Sequence, residues 1–170
     1  IPGRNEGGSL LPIGNLVDCG VGDICACLRN ISPETLDSIL DSFVEIVDPL
    51  HHYLPIPWVL QRYERCMDIA VTPEPQEAAL VFAVLGLGDL MAPNPTSFNF
   101  ISASFQLLRL SNFLTSPCID SIATFCFIAV YLQHEGRLNE YWPLLGMVIR
   151  LAQSMGLHRD PSLISSLVPE

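Results

Sequence analysis

The sequence predicts an all-α fold of antiparallel helical hairpins, about six helices in all. Two observations lead there. No segment alternates apolar and polar residues with a sustained period of two, the mark of a half-buried strand. From Ile31 onward, apolar residues instead recur at spacings of three and four. Helix start and stop signals (Ser-Pro, Asp-Pro, Gly) separate these stretches by short connections.

Residues 1–31 are Gly-rich and aperiodic, and read as linker with one short turn of structure at most. Ser32-Pro33 opens the first helix, with Ser32 as N-cap and Pro33 in the first helical position. Leu36, Ile39, Leu40, Phe43 and Val47 form its apolar stripe, while Asp37, Asp41 and Glu45 make a solvated face. Asp48-Pro49 ends it, and the Pro-rich segment after it is irregular. Pro57 opens a short helix from Trp58 to Asp68. A second Pro-rich spacer leads into Glu77–Met91, apolar nearly all round and therefore buried on most sides.

Three helices then follow almost back to back. The first runs over Ser97–Leu114 with Phe98, Ile101, Phe105 and Leu108 on one stripe. Ser116-Pro117 opens the second, Pro117–His134, whose few polar residues make it central. Gly136 ends it as a left-handed cap. The third covers Asn139–Met155, facing the core through Tyr141, Leu145, Val148, Ala152 and Met155. Pro143 falls near its first turn, where a missing N–H matters least. Gly156 is its C-terminal cap, with Leu157 as the apolar contact after it. A tetratricopeptide-like array fits less well, because its Trp, Gly, Tyr and Pro positions do not align.

Composition narrows the function. The 170 residues hold 8 Lys+Arg against 18 Asp+Glu, a net charge of -10, with 49% hydrophobic and 15% charged residues. All the basic residues are arginine, so a P-loop lysine and a Schiff-base lysine are excluded. The acidity argues against direct nucleic-acid contact from this segment. The longest apolar runs, Ala78–Gly88 and Ile122–Leu132, are shorter than the roughly 18 residues that span a bilayer. The chain opens on Ile1 without a signal-peptide pattern, and reads as processed or cut from something longer. Its six cysteines need no disulfides in a chain this apolar, which favours a reducing intracellular compartment.

The stretch from Leu107 to Asp160 resembles the middle homology region of fungal zinc-cluster transcription factors. Trp142, Leu144, Gly146, Ile149, Arg150, Ala152, Gly156, Leu157, His158, Arg159 and Asp160 match its A-W-x-L-x-G-x-A-I-R-x-A-x-x-L-G-L-H-R-D pattern, with Tyr141, Val148 and Met155 replacing Ala, Ala and Leu. The earlier DSFVEIVDPLHHYLPI is similar to the family's F-x-x-x-H-P-L-x-P-I opening, with Asp48 in place of His. The resemblance covers about residues 40–162 and makes residues 32–170 the N-terminal part of a regulatory domain, an incomplete part of a larger helical unit. It implies structural roles for Trp142, Gly146, Arg150, Gly156, His158, Arg159 and Asp160. The segment from Gly156 to Asp160 itself reads as helix cap plus turn, with His158 and Arg159 tying neighbouring helices.

The resemblance further implies a regulatory segment of a nuclear, sequence-specific transcription factor. DNA would be bound by a zinc cluster outside this chain, so no cofactor or metal is expected within it. Expected partners are the remainder of the same domain or a second subunit, and transcriptional co-regulators; no membrane contact is expected. The alternative is a stand-alone helical interaction or scaffold protein derived from that domain. The low charge supports an uncovered apolar surface independently, since large exposed apolar patches mark a partner.

No catalytic constellation stands out. Glu45, Asp48, His51 and His52 are the densest group of potential ligands, but Pro49 breaks the helix between them. Cys19, Cys25 and Cys27 lack the spacing of a structural zinc site. His134-Glu135 lacks the second His of H-E-x-x-H, and His134 suits a helix C-terminus. Gly86 and Gly88 fall inside a helical pattern, where close packing explains them better than a dinucleotide fingerprint. Arg150 has two readings: an ion pair with Asp120 or Glu135, or a surface arginine with a buried stem.

Overall fold

The computed structural model describes residues 20–160, and every regular element among them is helical. The elements are α1 (Val21–Arg29), α2 (Pro33–Ser42) running into a π-helical turn (Phe43–Val47), α3 (Ile56–Met67), α4 (Pro75–Met91), α5 (Phe100–Leu110), α6 (Ile119–His134) and α7 (Leu138–Ser154).

The helix α1 corrects the expectation of linker over residues 1–31. It buries Ile24, Cys25 and Leu28 against the core. Gly20 supplies no capping side chain, yet its N–H donates to Asp23 Oδ2 at 3.0 Å, which is half of a capping box. A nine-residue helix with Gly20 before it and Gly22 in its first turn is too short for periodicity to announce it. Residues 1–19 lie outside the described residues.

Ser32 caps α2 as expected, accepting from the Thr35 N–H at 3.3 Å. Leu36, Ile39, Leu40, Phe43 and Val47 are all buried. The π turn, closed by Asp48 N–H to Phe43 O at 3.0 Å, adds one residue to the ladder. It carries Asp48 inward, to 8% exposure, where it pairs with His52 Nδ1 at 3.0 Å.

Helix α4 is the axis of the fold. It buries every residue from Ala78 to Asp89 and packs against α1, α2, the π turn, α3, α5 and α6. Its two glycines are points of closest approach. A Cβ on Gly86 would lie 2.7 Å from Ile101 Cδ1, and one on Gly88 would lie 2.2 Å from the Ile39 carbonyl oxygen. Asp89, which ends the apolar run in the sequence, is buried too and accepts the Thr96 N–H at 2.6 Å. It thereby fixes the loop into α5.

α5 is shorter at both ends than expected. Asn99 caps it by accepting the Ser102 N–H at 2.9 Å. Asn112, at φ +52°, turns the chain after it. Asn is among the few residues that enter this left-handed region readily. Its carbonyl accepts the N–H groups of Thr115 and Ser116, so Ser116 belongs to this turn. Cys118, not Ser116, is the N-cap of α6.

α6 is buried from Asp120 to Leu132 apart from Ile122 and Cys126, and packs between α4 and α7. Its end is a Schellman cap: Gly136 at φ +71° donates to Gln133 O, and the Arg137 N–H to Leu132 O. The connection is so short that α7 folds straight back along α6. The same cap recurs after α7, where Gly156 at φ +76° donates to Gln153 O and Leu157 N–H to Ala152 O.

The core stripe of α7 differs from the expected one. Leu144, Val148 and Leu151 are buried, whereas Leu145 is only half-buried. Pro143 lies within the helix and lacks the N–H for one ladder bond. Val148→Asp is therefore expected to unfold or aggregate the chain, because an unpaired charge would enter the α6–α7 contact. Leu145→Asp is expected to cost only about 1 kcal/mol. Thermal melting followed by far-UV circular dichroism separates the two.

Candidate interaction surface

The densest polar constellation lies between α3 and α6. Asp120, at the second position of α6, accepts Trp58 Nε1 at 2.9 Å on Oδ1 and Arg62 Nε at 2.8 Å on Oδ2. The guanidinium also sits 4.0 Å over the Trp58 ring and donates to Trp58 O at 3.3 Å. Trp58 and Arg62 stand one helical turn apart on α3, so both reach the same carboxylate. Asp120 gains further from the N-terminus of α6, where the helix dipole favours an anion. The pair is nearly dry, with side-chain exposures of 11% for Arg62 and 9% for Asp120. It offers no free acid, base or nucleophile; it locks α3 to the start of α6. Asp120 thus pairs with Arg62, a partner not expected from the sequence, and not with Arg150. The Trp58-x-x-x-Arg62 spacing places both side chains on one face of α3 but does not name their acceptor.

Arg150 turns out to be a surface residue. It is exposed and donates to Gln153 Oε1 at 3.2 Å on its own helix, so the reading as an ion pair with Asp120 is corrected. Trp142 is 66% exposed and stacks edge-on with Tyr141 at 5.3 Å. A Cβ on Gly146 would meet nothing within 4 Å. Gly156 takes the capping role expected of it. His158, Arg159 and Asp160 are all exposed in the turn after it. Among the described residues, His158 and Arg159 make no side-chain bond to a neighbouring helix, contrary to the expectation that they tie helices together.

These placements define a second face on α7. Leu138, Trp142 and Ile149 are 51%, 66% and 50% exposed, and the half-buried Leu145 lies between them. Their spacing of four, three and four residues makes one stripe. Leu144, Val148 and Leu151 occupy the other side, against α6. α7 is thus apolar on two sides and covered on one, with the open position of Gly146 beside the uncovered stripe.

The other sequence candidates do not converge on a site. His52 pairs with Asp48, but Glu45 is exposed and His51 packs against Tyr53 at 5.9 Å between ring centres. Burial, and with it the nearby His134, lowers the His51 pKa from its ordinary value, which disfavours a charged imidazole there. His134 is the last residue of α6, as expected for a helix C-terminus. Cys25 is fully buried, while Cys27 is half-buried and donates to Asp23 O on its own helix. Cys19 lies outside the described residues. Among the described residues no three His, Cys, Asp or Glu side chains are grouped to hold a metal. No helix among them is long and apolar enough to cross a membrane.

The family model of the fungal specific transcription factor domain matches residues 41–167, well over half of the chain. The chain belongs to this family. Among curated proteins, the C6 finger domain transcription factor hasF of Aspergillus fumigatus is 33% identical over 101 residues, covering 55% of this chain and 13% of the relative. The transcription factor yanR of Aspergillus niger is 29% identical over 159 residues, covering 78% of this chain and 19% of the relative. An uncharacterized transcriptional regulatory protein of Schizosaccharomyces pombe is 32% identical over 100 residues, covering 52% and 12%. The chain spans between 12% and 24% of the length of the curated relatives it matches. No solved structure matches significantly. The family assignment made from the Trp142–Asp160 pattern therefore holds, as does the all-α fold. Transcription regulation is the family's field, and the named relatives are transcription factors rather than enzymes.

Proposed function

We propose that this chain is the regulatory segment of a fungal sequence-specific transcription factor, acting in the nucleus through protein contacts made by the outer face of α7. DNA would be read by a zinc cluster outside the chain, so the segment itself needs no metal or cofactor. The observation that carries the reading is the uncovered stripe of Leu138, Trp142 and Ile149. An exposed Trp flanked by aliphatic residues has the composition of an interface centre, where Trp is enriched. Gly146 leaves room beside it for the backbone of another helix. The occupant proposed is the remainder of the same regulatory domain, which the much greater length of the relatives supports.

A chromosomal allele carrying Trp142→Gln and Ile149→Gln tests this. Its transcript profile is expected to depart from wild type toward that of a gene deletion, with the protein still present by immunoblot. A wild-type profile from that allele, where the deletion alters transcription, would remove α7 from the mechanism. A deletion that alters no transcripts would overturn the transcriptional role itself, in favour of a stand-alone interaction protein.

A further inference from the structure

Helix α7 carries a charge bias beside its uncovered stripe. From Tyr141 to Arg159 the chain has no Asp or Glu, although its net charge is -10. Arg150 and Arg159 fall in that stretch, and both are exposed. Arginines elsewhere are engaged. Arg62 pairs with Asp120, Arg65 with Glu77 and Arg137 with Glu140. Arg29 donates to the carbonyls of Cys66 and Asp68, and Arg109 has a partner as well. Among the described residues Arg150 reaches only the neutral Gln153 Oε1 of its own helix, and Arg159 makes no side-chain hydrogen bond or ion pair.

The placement of these two cations matches the open side of the helix. Arg150 stands one turn beyond Gly146 on the same face. A Cβ on Gly146 would meet nothing within 4 Å, so the backbone of a second helix can approach there and bring its side chains to Arg150. The Arg159 stem lies by the Gly156 cap, with its Cδ 3.9 Å from where a Cβ on Gly156 would stand. Leu157, beside it, is 49% exposed. The last turn of α7 holds no basic residue, so Arg150 is not there to complement the helix dipole.

We infer that the segment covering α7, taken as the docking face proposed above, is an acidic amphipathic helix from the remainder of the domain. Its apolar side meets Leu138, Trp142 and Ile149, and its carboxylates pair with Arg150 and Arg159. Charge complementarity selects this occupant: the carboxylate surplus of the rest of the chain repels an acidic segment, and the end of α7 attracts it. The planar fork of arginine holds a carboxylate through two parallel hydrogen bonds. That fixes the register of a helix which apolar contact alone would leave free to slide. Docking also excludes water from the pairs, which strengthens them beyond an ordinary exposed ion pair. An apolar centre with a charged edge is the usual layout of a protein contact.

The absence of lysine from residues 1–170 supplies the test. In the full-length gene product, Arg150→Lys and Arg159→Lys keep both charges and introduce amines at exposed positions, so the helical circular dichroism is expected to stay unchanged. A carbodiimide activates a carboxylate lying against such an amine. The amine displaces the activating group as a urea, and an amide joins the two side chains. Peptide mapping is expected to find position 150 or 159 joined to an Asp or Glu outside residues 1–170. The link is expected to be lost when Trp142→Gln and Ile149→Gln remove the apolar anchor. No link, or a link only to Asp or Glu within residues 1–170 of the same chain or a second copy, would overturn the proposal. A benzophenone side chain in place of Trp142 reports separately on the α7 face. Photo-crosslinks from it to peptides outside residues 1–170, without the carbodiimide link, would leave α7 docked and remove the acidic partner. Loss of both would remove α7 as the docking face as well.

Discussion

Gly88→Ala is expected to destabilise the fold by about 3 kcal/mol, lowering the melting temperature by roughly 10 °C. The added methyl would stand 2.2 Å from the Ile39 carbonyl oxygen, and 3.0 Å from that residue's carbonyl carbon and Cγ2. A backbone oxygen inside a helix cannot rotate away. α2 must separate from α4, which opens the contact that buries Leu36, Ile39 and Phe43. The effect is set by the neighbour and not by the glycine. At Gly86 the nearest atom is the flexible end of Ile101 at 2.7 Å, so Gly86→Ala is expected to cost less, within about 1–2 kcal/mol. At Gly146 nothing lies within 4 Å, and Gly146→Ala is expected to stabilise by about 0.5–1 kcal/mol through helix propensity alone. Urea denaturation of the three variants checks both the order and the change of sign. Equal losses at Gly88 and Gly146 would show that the α2–α4 approach is not the limiting contact.

That contrast also marks what the sequence could and could not disclose. Gly86 and Gly88 sit in an uninterrupted apolar run, where buried helix packing is the ready explanation for two glycines, and they pack as anticipated. α2 was legible from its apolar stripe, α4 and α6 from their nearly unbroken apolar runs, and Ser, Pro or Gly signals mark where these stretches begin or end. α1 was not, because nine residues hold only two turns and its cap is a glycine N–H on Asp23 rather than a capping side chain. The face of α7 was misplaced because the helix is apolar on two sides. Periodicity finds a stripe but cannot say which of two is covered; that depends on where α6 lies. Asp120 shows the same limit for charges. Its partners are 58 and 62 residues away on α3, and a single sequence carries no signal for a pairing at that range. The interaction surface was legible only as a surplus of apolar residues, and its location on Trp142 and Ile149 required the fold.

Asp120→Ala is expected to cost about 3–5 kcal/mol, the usual effect of removing one partner from a buried ion pair. The variant leaves Arg62 Nε without its acceptor where water scarcely reaches, since that side chain is only 11% exposed, while Trp58, 41% exposed, can turn its Nε1 to solvent. It also removes an anion from the first turn of α6. Arg62 keeps the Trp58 ring and carbonyl, which holds the loss toward the lower end of that range. Asp120→Asn is expected to lose less, because one amide oxygen still serves one of the two donors. The double replacement Asp120→Leu with Arg62→Met should recover most of the stability, as apolar substitutes for a buried pair commonly do. Three urea curves decide the matter. If the double variant is as unstable as Asp120→Ala, the cost comes from lost packing around Trp58 and not from an orphaned guanidinium. If Asp120→Ala is within about 0.5 kcal/mol of wild type, the α3–α6 lock is a surface pair of the ordinary weak kind. The expected order, Ala below Asn below the apolar pair, would instead place the anchoring of α3 in a charge that folding must keep satisfied.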